Sequence, residues 1–176
     1  MSALSPNRLR STAFALLLLG SAGLSACGFE PLYAAHGVVP ALEAVDVQVP
    51  QSRTGYLLRE QLADELGRNL ATGPRFRLIL TVDERRFPRG LRVNNVATLY
   101  EVSLVVGYTL TDIATGKVLL QGAAPVAVSY DAADPPYASV AAQQDAEERA
   151  ANQAAVRIRL DLSRYFHRQA GQATAG

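Results

Sequence analysis

The 176 residues include one cysteine, one methionine, one lysine and no tryptophan. A lone cysteine excludes an intramolecular disulfide and any multi-cysteine metal site. The formal net charge is +1, so no excess of positive charge points to nucleic acid. Arginine supplies 16 of the 17 basic residues. There is no Gly-rich phosphate loop, no Gly-x-Ser-x-Gly and no His-Glu-x-x-His. His36 and His167 have no Cys, Asp or Glu near them at metal-ligand spacing. Nothing positive supports an enzyme, a cofactor or a metal. The length fits one globular domain with a tail.

What is present begins at the N-terminus. Arg8 and Arg10 are the only charges before Cys27, and the apolar core Ala13–Leu19 is seven residues long. A membrane-spanning helix needs roughly 20 such residues. A basic start, a short apolar run and a small-residue junction describe a secretory signal peptide, here residues 1–26. Leu24-Ser25-Ala26-Cys27 resembles the bacterial lipobox, in which the cysteine is acylated after cleavage. Each buried methylene adds about 0.8 kcal/mol of membrane affinity, and stable anchoring takes more than one chain. A triacylated Cys27 meets that condition. Gly28 follows where, in enteric-type sorting, an Asp would hold a lipoprotein in the inner membrane, so the residue is compatible with the outer membrane. Without Arg8 and Arg10 the chain has 15 basic and 16 acidic residues.

Residues 27–41 are rich in Gly, Pro and Ala and read as a lipidated tether. Val45, Val47 and Val49 alternate with polar residues, the mark of a half-buried strand ended by Pro50. Leu58, Leu62, Leu66 and Leu70 then step by four. This predicts an amphipathic helix over roughly 55–70, with Tyr56 and Leu57 near its apolar face and Gly73-Pro74 as terminator. Period two returns at Phe76, Leu78, Leu80 and Val82, with Arg75, Arg77, Ile79, Thr81 and Asp83 opposite. Residues from Phe87 to Asn95 read as a loop or bend. Val96 to Leu110 is the longest strand signal. A turn at Thr115-Gly116 makes a hairpin with the next strand, in which Pro125 marks an edge or a bulge. Tyr137 to about His167 is strongly helix-forming. Its stripe is Ala151, Ala155, Ile158, Leu162 and Phe166, extended backwards by Ala141, Gln144 and Glu148. Residues 169–176 read as a disordered tail. The expected fold is a two-layer α+β domain over residues 42–168, with two helices on one face of a mixed four-stranded sheet. Its order is strand-helix-strand-strand-strand-helix.

Three patches carry a family resemblance: "CGFEPLY" at 27–33, "SRTGYLLREQL" at 52–62, and "SYDAADPPYASVAAQQDAEERAANQAAVRIRLDL" at 129–162. Together they resemble the alphaproteobacterial branch of the lipopolysaccharide-assembly lipoprotein (LptE) family. That resemblance implies a non-enzymatic lipoprotein of the outer membrane. It implies a place in the lumen of the LptD β-barrel, with roles in barrel assembly and in delivering lipopolysaccharide to the outer leaflet. A different class, an auxiliary lipoprotein of an ABC-type lipid transporter, would share the lipobox and a small α/β domain.

Arg75, Arg77, Arg85, Arg86, Arg89 and Arg92 fall within eighteen residues. Guanidinium groups bind phosphate bidentately, and lipid A carries phosphates. The cluster reads in three ways: a lipopolysaccharide contact, a solvated strand face, or a contact with acidic groups inside a barrel. Asp145, Glu147, Glu148 and Arg149 read as a solvated helix face. Asp131 and Asp134 belong to the turn before the last helix rather than to acid–base work.

Overall fold

The computed structural model describes residues 37–67, 73–91, 97–131 and 136–174. Every described residue lies in one compact unit, Leu32–Gly176. Its elements are α1 (Val38–Glu43), β1 (Val45–Gln48), α2 (Arg53–Leu66), β2 (Phe76–Leu91), β3 (Ala97–Asp112), β4 (Val118–Asp131) and α3 (Pro136–Thr174). The four strands form one mixed sheet in the order β1-β2-β3-β4. β1 runs parallel to β2 across the α2 crossover, and β2, β3 and β4 form an antiparallel meander. This is the expected α+β fold with one helix more.

The extra helix, α1, occupies the end of the stretch read as a tether. Pro40 sits in its first turn, where a missing N–H costs nothing. Helix α2 starts at Arg53, two residues early, because the Ser52 side chain accepts a bond from the Gly55 N–H at 3.0 Å. It ends at Gly67, in the left-handed conformation, and not at Gly73-Pro74. Leu58, Leu62 and Leu66 are buried, but Tyr56 faces solvent. Leu70 lies outside the described residues.

Strand β2 does not stop at Phe87. It runs through Pro88 to Leu91, with register shifts at Gly90. β1 covers only Phe76–Ile79 of this strand, so Pro88 has an open flank where no neighbour needs its missing N–H. Pro125 of β4 is an edge residue, and its carbonyl accepts a bond from the Arg157 guanidinium. That contact occupies the middle of an otherwise open sheet edge. The hairpin turn is where Thr115-Gly116 predicted it. The Asp112 carboxylate accepts bonds from the Thr115 N–H at 2.9 Å and its hydroxyl at 3.0 Å. Those bonds hold the Asp112 pKa below the usual carboxylate range.

The core lies between the helices and one face of the sheet. Leu78, Leu104, Leu110, Val102 and Val106 meet Leu58, Leu62, Ile158 and Leu162. In α3 the stripe Ala151, Ala155, Ile158, Leu162 and Phe166 is buried as expected. Its N-terminal continuation is different. Ala141, Gln144 and Glu148 are exposed, while Ala146, Glu147, Ala150 and Ala154 are buried. Alanine occupies both faces there, so composition leaves the phase of the stripe undetermined. The helix also continues through Thr174, so residues 169–174 are helical and not a disordered tail.

A polar clasp holds α3 over β3. The Tyr108 hydroxyl donates to the Asp161 carboxylate at 2.7 Å, and Arg164 donates to the other carboxylate oxygen at 3.2 Å. Burial, then the Asp161 bond and charge, push the Tyr108 phenol above its ordinary pKa. Gly122 lies directly opposite on β4, where an added Cβ would sit 2.4 Å from the Tyr108 oxygen. Gly122→Ala should therefore cost about 1–3 kcal/mol, read by urea unfolding. The Tyr108 contribution is fully present below the unfolded tyrosine pKa of about 10 and is lost as pH rises through the higher folded value. Wild-type stability should fall across that alkaline window more steeply than that of Tyr108→Phe. Parallel pH–stability curves would contradict the assignment.

Candidate functional site

The arginines grouped by sequence are divided by the fold. β2 rises about 3.3 Å per residue, which puts Arg75 and Arg85 about 30 Å apart. Arg75 and Arg77 lie at the end of the sheet that holds Gly37 and the β3–β4 hairpin. Arg85, Arg86 and Arg89 lie at the opposite end, beside the N-terminal half of α3. Arg92 and Cys27 lie outside the described residues.

The far end is polar because the apolar alternation of β2 stops at Val82. Glu84 and Arg86 then occupy the helix-facing positions, opposite Leu104 and Val102 of β3. Each finds a polar helix partner. The Thr54 hydroxyl donates to the Glu84 carboxylate, and the Arg86 guanidinium donates to the Gln143 amide oxygen. Gln143 in turn donates to Glu147 at 2.8 Å, and Arg53 donates to the same carboxylate at 3.0 Å. Glu147 is thus a buried, paired acid and not part of the solvated face its neighbours form. The start of α2 and the N-terminal part of α3 are both joined to β2 by hydrogen bonds.

The three arginines differ in what holds them. Arg85 pairs with Asp83 at 3.1 Å on the strand face away from the helices. Arg89 pairs with Glu101 at 2.6 Å and lies over the Phe87 ring, and the Glu101 bond raises its pKa further. Arg86 alone of the three is held by a neutral amide. Its guanidinium lies 5.6 Å from the ring centre of Tyr100, which stacks on Tyr130 at 5.6 Å. Periodicity places Tyr100 on the correct face but does not link it to an arginine, and it gives no role to Arg53, Thr54, Glu84 or Gln143. The only signal is the abrupt arrival of Asp-Glu-Arg-Arg at 83–86 in an alternating strand.

The second notable surface is the bare side of the sheet. No described helix covers it. On β3 and β4 it presents Ser103, Val105, Gly107 and Thr109 beside Ala123, Pro125, Ala127 and Ser129, all uncharged. Charge on this side comes from β2, from Glu101 beside it, and from Asp46 of β1 and Asp131 at the end of β4. Among the described residues no group of three or more His, Cys, Asp or Glu could hold a metal ion. No described helix is long and apolar enough to cross a membrane, which says nothing of strands.

The network at Glu147 is accessible to mutation. Glu147→Ala should destabilise the domain by about 1–3 kcal/mol, since Gln143 and Arg53 lose their shared acceptor. Glu147→Gln keeps the shape and one acceptor oxygen, so it should cost less. Equal denaturation midpoints for wild type and Glu147→Ala would show that the network contributes nothing.

Comparison with known proteins agrees with this architecture. Residues 42–162 match the family model described as LptE, lipopolysaccharide-assembly. A candidate lipoprotein from Caulobacter crescentus CB15, known from its crystal structure, is 42% identical, with a TM-score of 0.67, over 76% of this chain and 97% of that one. An uncharacterized lipoprotein B from Nitrosomonas europaea shares the fold at 14% identity and a TM-score of 0.54, over 69% of this chain and 83% of that one. A minor lipoprotein from Acinetobacter baumannii does so at 18% and 0.50, over 68% and 89%. A comparison with curated proteins finds no match. The family match spans more than half of the chain, from the end of α1 well into the second half of α3, and the chain belongs to the lipopolysaccharide-assembly (LptE) family.

Proposed function

We propose that this chain is a non-catalytic outer-membrane lipoprotein, anchored through acylated Cys27, that plugs an LptD-type β-barrel. In that position it assists barrel assembly and the insertion of lipopolysaccharide into the outer leaflet. The observation that carries this reading is the bare sheet face. β2 and β3 are 16 residues each. At about 3.3 Å per residue they are roughly 50 Å long, comparable with a bilayer including its headgroups. The middle of the face on β3 and β4, Ser103 to Thr109 beside Ala123 to Ser129, is neutral, and β2 adds Arg77, Asp83, Arg85 and Arg89. Such a mixed polar face suits the polar interior of a large barrel.

The far-end arginines are the proposed contact for lipid A phosphates. Arg86 is the strongest candidate, because a phosphate arriving there displaces an amide and not a carboxylate. Arg85 and Arg89 would exchange one anionic partner for another.

Two experiments test the reading. A C-terminally tagged chain should copurify with one barrel protein, and depletion of the chain should lower surface lipopolysaccharide. Normal surface lipopolysaccharide on depletion, or a pulldown with no barrel, would overturn the plug. For the arginines, Arg85→Ser, Arg86→Ser and Arg89→Ser combined should weaken lipopolysaccharide binding about tenfold or more at low salt. Unchanged affinity would remove them from the contact.

A further inference from the structure

The other end of the domain has no role in that reading, yet it gathers an unusual set of groups. A cavity of about 430 Å³ opens there, where α1, the starts of β2 and β4, and the last turns of α3 meet. Its apolar wall is Phe76, Phe166, Leu119 and Tyr165. Phe76 and Phe166 pack with ring centres 5.0 Å apart. Two opposite charges line the same cavity. The Arg75 guanidinium lies over the Phe76 ring at 5.1 Å, and Asp112 is held ionised by the Thr115 turn. The two residues are tied to one frame, since the Ile113 N–H donates to the Arg75 carbonyl at 3.0 Å.

The hairpin tip next to the cavity exposes apolar side chains. Ile113 and Val118 flank the hairpin tip and are exposed, Val118 by 53%. Lys117, the one lysine of the chain, stands between them in the turn. An exposed apolar pair with a long cation beside it is the pattern of a residue set that enters a headgroup layer, with the ammonium kept at its surface.

Gly37 also lines the cavity. Cys27 is ten residues upstream, and ten residues reach at most about 35 Å. Whatever path that segment takes, an acylated Cys27 keeps this end of the domain within that distance of the bilayer, a bound that for the far-end arginines is looser by about 30 Å.

We infer that this end is a lipid-docking surface: the hairpin tip enters the membrane interface, and the cavity takes a zwitterionic phospholipid headgroup, its phosphate on Arg75 and its ammonium on Asp112. The inference rests on the anchoring of Cys27. An anchored chain holds the surface at high effective concentration over the bilayer, so weak docking suffices to orient the domain. A purely anionic headgroup would meet Asp112 unfavourably, and a plain apolar ligand would draw nothing from the two charges, which already act on each other.

The absence of tryptophan supplies the test. Ile113→Trp introduces one reporter at the tip, Val118→Trp a second, and Tyr137→Trp a control at the far end. The mature chain, purified from membranes, is reconstituted into vesicles of ethanolamine and glycerol phospholipids, with brominated chains on one or the other. The fluorescence of the two tip reporters should shift to the blue and be quenched, more by the brominated ethanolamine lipid than by the glycerol lipid at equal fraction. The far-end control should not be quenched. Arg75→Gln should lower the docked-to-undocked ratio about fivefold. Equal quenching at both ends, or none at the tip in a chain whose mass shows acylated Cys27, overturns the docking surface and leaves the anchor intact. Equal quenching by the two lipids overturns the headgroup assignment. A mass showing unmodified Cys27 overturns the anchor and the inference with it.

Discussion

The long helix α3 lies against the sheet through a row of alanines, and the remainder of the architecture depends on that contact. Ala146, Ala150, Ala151, Ala154 and Ala155 are fully buried. Small side chains let the helix approach β3 and β4 closely, so the core is thin and the larger residues, Leu104, Ile158 and Leu162, fill it at close packing. Such a core uses one sheet face only. The chain has no further helical surface among its described residues with which to cover the other. A two-layer domain with one bare face follows, and that face is the feature most open to a large partner.

The same helix divides the domain into two chemically different ends. Along its first half it presents Gln143 and Glu147, and β2 answers with Arg86. Along its last turns it presents Tyr165 and Phe166 toward Phe76 and Leu119. Polar groups buried at one end require partners of fixed geometry, which orders the start of α2 through Arg53 on Glu147 and Thr54 on Glu84. Aromatic groups at the other end tolerate an open cavity. The elongated strands keep the two environments apart, so a single small domain can meet two different surroundings at once.

Much of this was legible in the sequence where local periodicity and local chemistry agree. Val45 and Val47, the run from Phe76 to Val82, and the alternation through Leu110 each identified a strand and its buried side. Thr115-Gly116 marked the hairpin, and Pro125 the edge. Misplaced boundaries have physical causes. Pro40 masked α1, although a first-turn proline is harmless. Pro88 suggested a loop, although a strand flank without a neighbour tolerates it. In the first half of α3, alanine on both faces erased the phase, and Glu147 was grouped with its solvated neighbours because burial of a carboxylate depends on Arg53 and Gln143.

The sequence by itself determined the family, the order of the four strands and two longer helices, and the inward face of each strand, because these rest on residues close together along the chain. It also carries the resemblance of Leu24 to Cys27 to a lipobox, which is a matter of adjacent side chains. Only the tertiary structure decided which arginines act together. Arg75 and Arg85 are ten positions apart along one strand and its flank, and an extended backbone turns that short separation into a long distance. The structure alone also brought Gly37, Arg75, Asp112 and Phe166 around one cavity. Those residues come from four elements or their flanks, and their proximity follows from the parallel crossover and the hairpin, not from any spacing in the chain.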